Sequence, residues 1–250
     1  MNDLVSIIMA SYNSSMYIKE TINSVKKQTY KNWELIVSDD GSTDSTVTVI
    51  QQEAKDDERI KILISSKNFG AAVARNRALE LTKGRYIAFL DSDDLWKTEK
   101  LENQINFMKE RNAWMCFTSY DLINEVGEYK KTISVPEIVD YNDFLRKPIT
   151  CTHSIMFDLN FIDKNNLFMP EIRRGQDAAT WLKVLKTGVI GYGLNISLCS
   201  YRRHSGSLSS NKFKALKRTW YLYRYVEKLS FPYSCFCFIS YLINAIKKYI

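Results

Sequence analysis

Cysteine is scarce in this chain and forms no recognisable pattern. The five present in 250 residues are Cys116, Cys151, Cys199, Cys235 and Cys237. The count is odd and no C-x-x-C pair occurs, which argues against a disulfide framework and against the usual zinc spacings. Free thiols suit a reducing compartment, so a cytoplasmic protein is expected. No basic segment leads into a long apolar run at the start. Met1-Asn2-Asp3-Leu4 passes straight into a short apolar stretch, which predicts no signal peptide. A membrane span is not expected either. The stretch Phe231–Tyr249 approaches the length, but Pro232, Ser234, Ser240 and Asn244 interrupt it.

Acid is almost absent from one end. From Asn211 to Ile250 the eight basic residues Lys212, Lys214, Lys217, Arg218, Arg224, Lys228, Lys247 and Lys248 meet a single acid, Glu227. They account for the whole net charge of +7 and leave residues 1–210 neutral. A nucleic-acid-binding fold would spread basic charge over its body, so no nucleic-acid partner is expected. Within that tail Phe213, Leu216, Trp220, Tyr223 and Val226 recur at helical steps among the lysines and arginines. A basic amphipathic helix of this kind predicts peripheral contact with an anionic membrane. Packing on the body or in a homodimer are the other readings.

What is present is a chain able to build a core, 45% hydrophobic and 25% charged. Its first half alternates apolar runs with helical patterns. Strands are expected at Leu4–Ala10, Trp33–Val37, Ile60–Ile64 and Arg85–Leu90, and helices at Ser14–Gln28, Ser42–Ala54 and Gly70–Leu81. Such alternation predicts an α/β fold with a mostly parallel sheet covered on both faces. The second half predicts a helix at Lys97–Arg111, a strand at Trp114–Tyr120 and hairpin composition at Gly127–Val139. A strand at His153–Phe157, a helix at Gln176–Lys186 and a strand–turn–strand at Val189–Tyr201 complete a mixed sheet extension.

Ligands of open α/β sheets bind beyond the C-terminal strand ends. Three polar clusters fall there: Ser11-Tyr12-Asn13, Asp39-Asp40 and Asp91-Ser92-Asp93. Carboxylates two apart in a strand-end turn can converge on a hard cation such as Mn²⁺ or Mg²⁺, completed by phosphate oxygens and water. The competing reading makes Asp93 or Asp94 the cap of the helix near Lys97. Asp39 or Asp40 can accept from a uracil N3–H or form an Asx turn before the next helix. Of Arg75 and Arg77, two apart on one helix, at most one can face the site and grip a diphosphate. Asp177, at a helix start, fits either a general base or a cap. His204 fits a metal ligand, a phosphate contact or a surface loop, and His153 is expected to be structural.

These residues resemble the glycosyltransferases of family 2, with their GT-A fold. The resemblance rests on Val5-Ser6-Ile7-Ile8-Met9-Ala10-Ser11-Tyr12-Asn13 and on Trp33-Glu34-Leu35-Ile36-Val37-Ser38-Asp39-Asp40-Gly41-Ser42. It rests also on Asn68-x-Gly70 with Ala74-Arg75-Asn76, and on Gly84 to Asp94. It implies a Rossmann-like nucleotide-binding half at 1–96, an acceptor-binding half at 97–210 and a helical tail at 211–250. The implied activity is inverting transfer from a nucleoside diphosphate sugar, with UDP expected, to a glycan or lipid-linked saccharide. Surface polysaccharide synthesis (O-antigen, capsule or lipooligosaccharide) is the implied setting. The resemblance also implies that Ser11, Tyr12, Asn13, Asp39, Asp40, Arg75, Asp91 and Ser92 line the donor pocket. Asp93 would hold Mn²⁺ or Mg²⁺, with His204 of the segment Tyr201-Arg202-Arg203-His204 reaching the metal or diphosphate. Asp177 would be the base, although its neighbour Gln176 departs from the family's acidic pair, and Trp181 would stand near the acceptor. A sugar-phosphate nucleotidyltransferase would want a glycine-rich basic loop after the first strand, and Ser11–Ser15 has neither glycine nor base. A non-catalytic sugar-binding scaffold is the other alternative.

Overall fold

The computed structural model describes residues 3–147, 152–172, 175–204 and 212–249. Four parallel strands form its first half. They are β1 (Val5–Ser11), β2 (Trp33–Asp39), β3 (Ile60–Ile64) and β4 (Tyr86–Phe89), with helices α1 (Ile18–Lys26), α2 (Thr46–Lys55) and α3 (Ala71–Glu80) between them. The second half adds β5 (Leu95–Trp96), α4 (Lys100–Arg111), β6 (Met115–Ile123), β7 (Tyr129–Ile133), β8 (Ile138–Val139) and α5 (Tyr141–Arg146). It continues with β9 (Ile155–Asp158), α6 (Gln176–Leu185) and β10 (Gly191–Arg202). The sheet runs β3-β2-β1-β4-β9-β6-β10-β5, with β7 on β6 and β8 on β10. Only β9 and the short strands run antiparallel to their neighbours, so the sheet is mixed.

Strand alternation explains why both faces are covered. Ile7, Met9, Leu35 and Val37 point to one side, against Ile18, Ile22 and Val25 of α1 and Leu101, Ile105 and Met108 of α4. Ile8, Ile36, Ile87 and Phe89 point to the other, against Ala78 and Leu79 of α3 and Trp181 and Val184 of α6. A strand apolar at every position, as β1 nearly is, fits only such a doubly covered sheet.

Several helices begin later than the apolar period predicts. Ser42 and Asp44 are drawn into hydrogen bonds with Asp39 and Thr46, so α2 starts at Thr46 rather than Ser42. Asp93 and Asp94 cap nothing, because α4 starts at Lys100 behind Glu99. The strand–turn–strand expected at Val189–Tyr201 is one long strand with register shifts near Ser197. At Gly193 a β-carbon would lie 1.9 Å from the Pro136 carbonyl oxygen, so the approach of that loop requires glycine. The hairpin composition resolves into β7, paired with β6, and β8, paired with β10.

The tail forms α7 (Lys212–Tyr221), a π-helical turn at Leu222–Val226 and α8 (Phe231–Tyr249). Its predicted stripe does not face outward. Tyr223 is buried, and Leu222, Tyr223 and Cys237 share a small core with Leu145, Ala179 and Leu182. Trp220 meets Phe231 and Phe238 edge-on, and the Tyr223 hydroxyl donates to the Leu145 carbonyl. The aromatic side of this segment therefore serves α5 and α6. The Phe213 side chain lies outside the described residues.

One buried amine gives the fold a pH dependence. Lys100 is fully buried, donates to Gln104 Oε1 at 2.8 Å and lies 3.9 Å from the Trp96 ring centroid. Burial lowers its pKa to about 8. A lysine depressed in the folded state is a liability wherever the unfolded chain holds the proton, and the liability vanishes once both states are neutral. Urea unfolding of the protein and of Lys100→Met is therefore expected to diverge with pH. Between about pH 8 and pH 10.5 the parent should gain on the variant by at most ~3 kcal/mol. A pH-independent difference would show that Lys100 titrates normally.

Candidate active site

The parallel strands end on one rim, and side chains tie their ends together. Ser11 pairs in register with Asp39, and its hydroxyl donates to Asp39 Oδ2 at 2.9 Å. Asp39 also accepts from the Ser42 amide and hydroxyl, at 2.9 and 2.6 Å. Asn13 sits at φ 47°, a left-handed conformation that asparagine tolerates. There its amide donates to Ser42 Oγ and its Oδ1 accepts from the Thr43 amide, both at 2.9 Å. Asp40 is buried, and its two oxygens accept from the Phe69 and Gly70 amides at 3.0 and 2.6 Å. Both acids thus carry structural bonds; Asp39 Oδ2, with two donors, is filled, while Asp39 Oδ1 and both Asp40 oxygens keep a further acceptor position. Tyr12 stands 48% exposed beside them.

The order β3-β2-β1-β4 reverses direction at β1, the place where such sheets open a crevice. Beyond β4 four consecutive residues turn to different partners. Asp91 forms an ion pair with Arg75. The Ser92 carbonyl accepts from Thr21 Oγ1 of α1 at 3.0 Å. Asp93 Oδ2 lies 3.0 Å from His204 Nε2. Asp94 is buried, with Oδ2 2.6 Å from His153 Nδ1 and Oδ1 accepting from the Arg202 amide at 2.8 Å.

Arg75 is the centre of this arrangement. Burial pulls its pKa down, but Asp91, Asp177 and Asp93 together outweigh burial and push it up. Asp91 thus bonds to the buried guanidinium, and Asp177 and Asp93 act on it through space, while the half-buried Arg77 reaches toward the Ile64 carbonyl. Asp177 lies in the first turn of α6, behind Gly175 at φ 79°, and its Oδ2 accepts from Thr152 Oγ1 at 3.1 Å. It is not the cap. Asp93 is pushed up by burial and by Asp91, with His204 pulling the other way. A carboxylate destabilised in this way and next to an imidazole suits a divalent cation. Among the described residues no three His, Cys, Asp or Glu side chains gather to enclose one. Asp93 and His204 could hold it only with ligands from elsewhere, as the magnesium and manganese sites of phosphate chemistry do. His153 stays structural. Burial alone would lower its pKa, but the adjacent Asp94 carboxylate holds it well above the usual value, and its ring stacks on Tyr201.

Trp181 does not stand open to an acceptor. It is 1% exposed, 5.2 Å from the Phe89 ring and 5.1 Å from that of Phe157, because α6 turns this side chain into the sheet. Arg173, Arg174 and Ser205 lie outside the described residues.

The residue most underrated by sequence is Arg202. Its amide binds Asp94, its Nε binds the Asp93 carbonyl at 2.9 Å, and its other nitrogens bind the Glu125 carbonyl and Glu20 Oε2 at 2.9 and 2.7 Å. It also lies 4.9 Å from the Tyr17 ring, which in turn stands 5.4 Å from that of His204. Only its place in Tyr201-Arg-Arg-His204 hinted at this. Tyr17 and Thr152 left no signal.

The chain matches the family model described as glycosyl transferase family 2 over residues 6–165. It is 47% identical over 246 residues to the putative teichuronic acid biosynthesis glycosyltransferase TuaG of Bacillus subtilis (strain 168), covering 98% of this chain and 97% of that one. It is 40% identical to the Escherichia coli protein named UDP-Glc:alpha-D-GlcNAc-diphosphoundecaprenol beta-1,3-glucosyltransferase WfgD, covering 98% and 95%. Among solved structures, S. aureus TarS 1–349 in complex with UDP-GlcNAc superposes with a TM-score of 0.72 at 21% identity, covering 95% of this chain and 71% of that one. At that identity the likeness speaks for the fold.

Arg202→Met should cost about 1–3 kcal/mol in urea unfolding, since it leaves the Asp93 and Glu125 carbonyls without the guanidinium that donates to them. A loss below about 0.5 kcal/mol would mean that the Asp93 end of the turn is held by other means.

Proposed function

The chain belongs to glycosyltransferase family 2, and from that premise we propose a mechanism and a substrate class for it. The reaction is inverting transfer of a sugar from a nucleoside diphosphate donor, UDP-linked, to a lipid-linked saccharide in surface polysaccharide synthesis. The observation that carries this reading is the turn after β4, where Asp91 pairs with the buried Arg75 and Asp93 meets His204, within electrostatic reach of Asp177. The name of the E. coli relative supports the UDP donor and the lipid diphosphate acceptor.

Residues 1–96 hold the donor. Ser11, Tyr12, Asn13, Asp39 and Asp40 frame the base and ribose. The buried acceptor capacity of Asp40 suits a uracil N3–H, and its grip on Phe69 and Gly70 keeps the pocket rigid. Asp91 and Ser92 face the ribose and donor sugar, with Arg75 holding Asp91 and lending positive charge to the diphosphate. Asp93 and His204 would hold Mn²⁺ or Mg²⁺. When bound, that cation neutralises charge on the departing diphosphate.

Residues 97–210 present the acceptor. Asp177, steadied by Thr152, takes the proton from the acceptor hydroxyl. That oxygen forms its bond to the anomeric carbon from the face opposite the diphosphate. The bond from that carbon to the diphosphate oxygen breaks with its electron pair, and the configuration inverts. The fixed positive charge of Arg75 acts on the Asp177 carboxylate through space. The protein works at the cytoplasmic membrane face, with residues 211–250 as its contact. A non-catalytic scaffold of the same fold would release no UDP.

Asp177→Asn should lower the rate of UDP release by about 100- to 10,000-fold while UDP affinity, read by calorimetry, changes less than about twofold. Retained activity would remove Asp177 from its role. Chelation with EDTA should stop release, and added Mn²⁺ or Mg²⁺ should restore it in the parent but not in Asp93→Ala. Full activity in EDTA would exclude the metal.

A further inference from the structure

The helix α8 buries one face and bares another. Ser234 and Cys237 turn into the protein, while Phe236, Ile239, Ile243 and Ile246 are 50–60% exposed. Steps of three, four and three put these four in one narrow strip. No charged residue occurs from Leu229 to Ile246, although the outer face of a surface helix normally carries lysine, arginine or glutamate. Phe231 is 61% exposed at the start of α8, and the stacked rings of Tyr221 and Tyr225 are exposed just before it. No helix among the described residues is long and apolar enough to cross a membrane, so the strip suits a position along a surface.

Charge selects the occupant. The tail's single acid, Glu227, is turned inward, accepting from the Tyr141 hydroxyl at 2.6 Å and pairing with Lys186 at 3.2 Å. No acid of the tail is left to offset its eight basic residues. A second copy would bring the same positive tail against itself, whereas an anionic bilayer brings the opposite charge. The buried side of the same unit reaches the site. Ala179 and Leu182 of α6 share a core with Leu222, Tyr223 and Cys237, and the Arg218 stem packs close to Gly175, the residue that starts α6.

We propose that the strip Phe236, Ile239, Ile243 and Ile246 inserts at the headgroup–acyl boundary of an anionic membrane. Through α6 it seats Asp177 beside the surface from which a lipid-linked acceptor rises. The second clause rests on the acceptor class proposed above. The full-length protein is mixed with vesicles of phosphatidylcholine, with and without phosphatidylglycerol, and sedimented without donor or acceptor. It should follow the anionic vesicles and largely ignore the neutral ones. The double variant Ile239→Ser, Ile243→Ser should partition at least about tenfold less, with an unchanged unfolding midpoint and unchanged UDP release on a water-soluble acceptor. Equal binding by parent and variant, or no binding by the parent, overturns the proposal. A parent dimer in sedimentation velocity that the variant dissolves also overturns it and assigns the strip to a second copy. Vesicle binding without sugar transfer would sink the functional reading alone, and transfer without vesicle binding would sink the docking alone.

Discussion

Acids gathered on one rim repel one another, and in this protein a buried guanidinium makes their gathering possible. Arg75 pairs with Asp91, and Asp91, Asp177 and Asp93 all raise its pKa against the pull of burial. Without that charge the turn after β4 would have to protonate or splay, because Asp93 is already pushed upward by burial and by Asp91. Arg75 lies on α3, which packs on the same sheet face as α6, with Gly70 at φ 100° just before the helix start. The site thus depends on a helix that carries none of its acids.

The remainder of the rim is fastened by hydrogen bonds rather than charge. Asp39 joins β1 to the turn before α2, Asp40 joins β2 to the start of α3, and Arg202 joins the end of β10 to the turn after β4. Each carboxylate does two tasks, holding backbone amides and presenting spare lone pairs. Such a rim loses little freedom when a ligand arrives, which is what preorganisation requires.

Much of the first half was legible because its signals are local. Apolar runs mark β1, β2 and β4, and polar clusters mark their ends, so the convergence on one rim followed from strand direction alone. Helix starts were read too early wherever Ser or Asp could serve a turn instead of a helix, as at Ser42 and Asp44. The second half was harder because its decisive contacts are distant in sequence. Arg202 meets Asp93 across more than a hundred positions, and β5, only two residues long, exists through its pairing with β10. Trp181 carried no mark distinguishing a core wedge from an acceptor platform. The stripe of Trp220 and Tyr223 was visible, but a sequence period does not say whether lipid or α6 lies opposite it.

The helix α6 is occupied on every side. One face drives Trp181 into the sheet, another meets Leu222 and Cys237, and its first turn carries Asp177. A helix so enclosed cannot drift in sequence independently of its neighbours. Exchange of tails between relatives would therefore need a matched exchange of the outer α6 positions, Ala179 and Leu182.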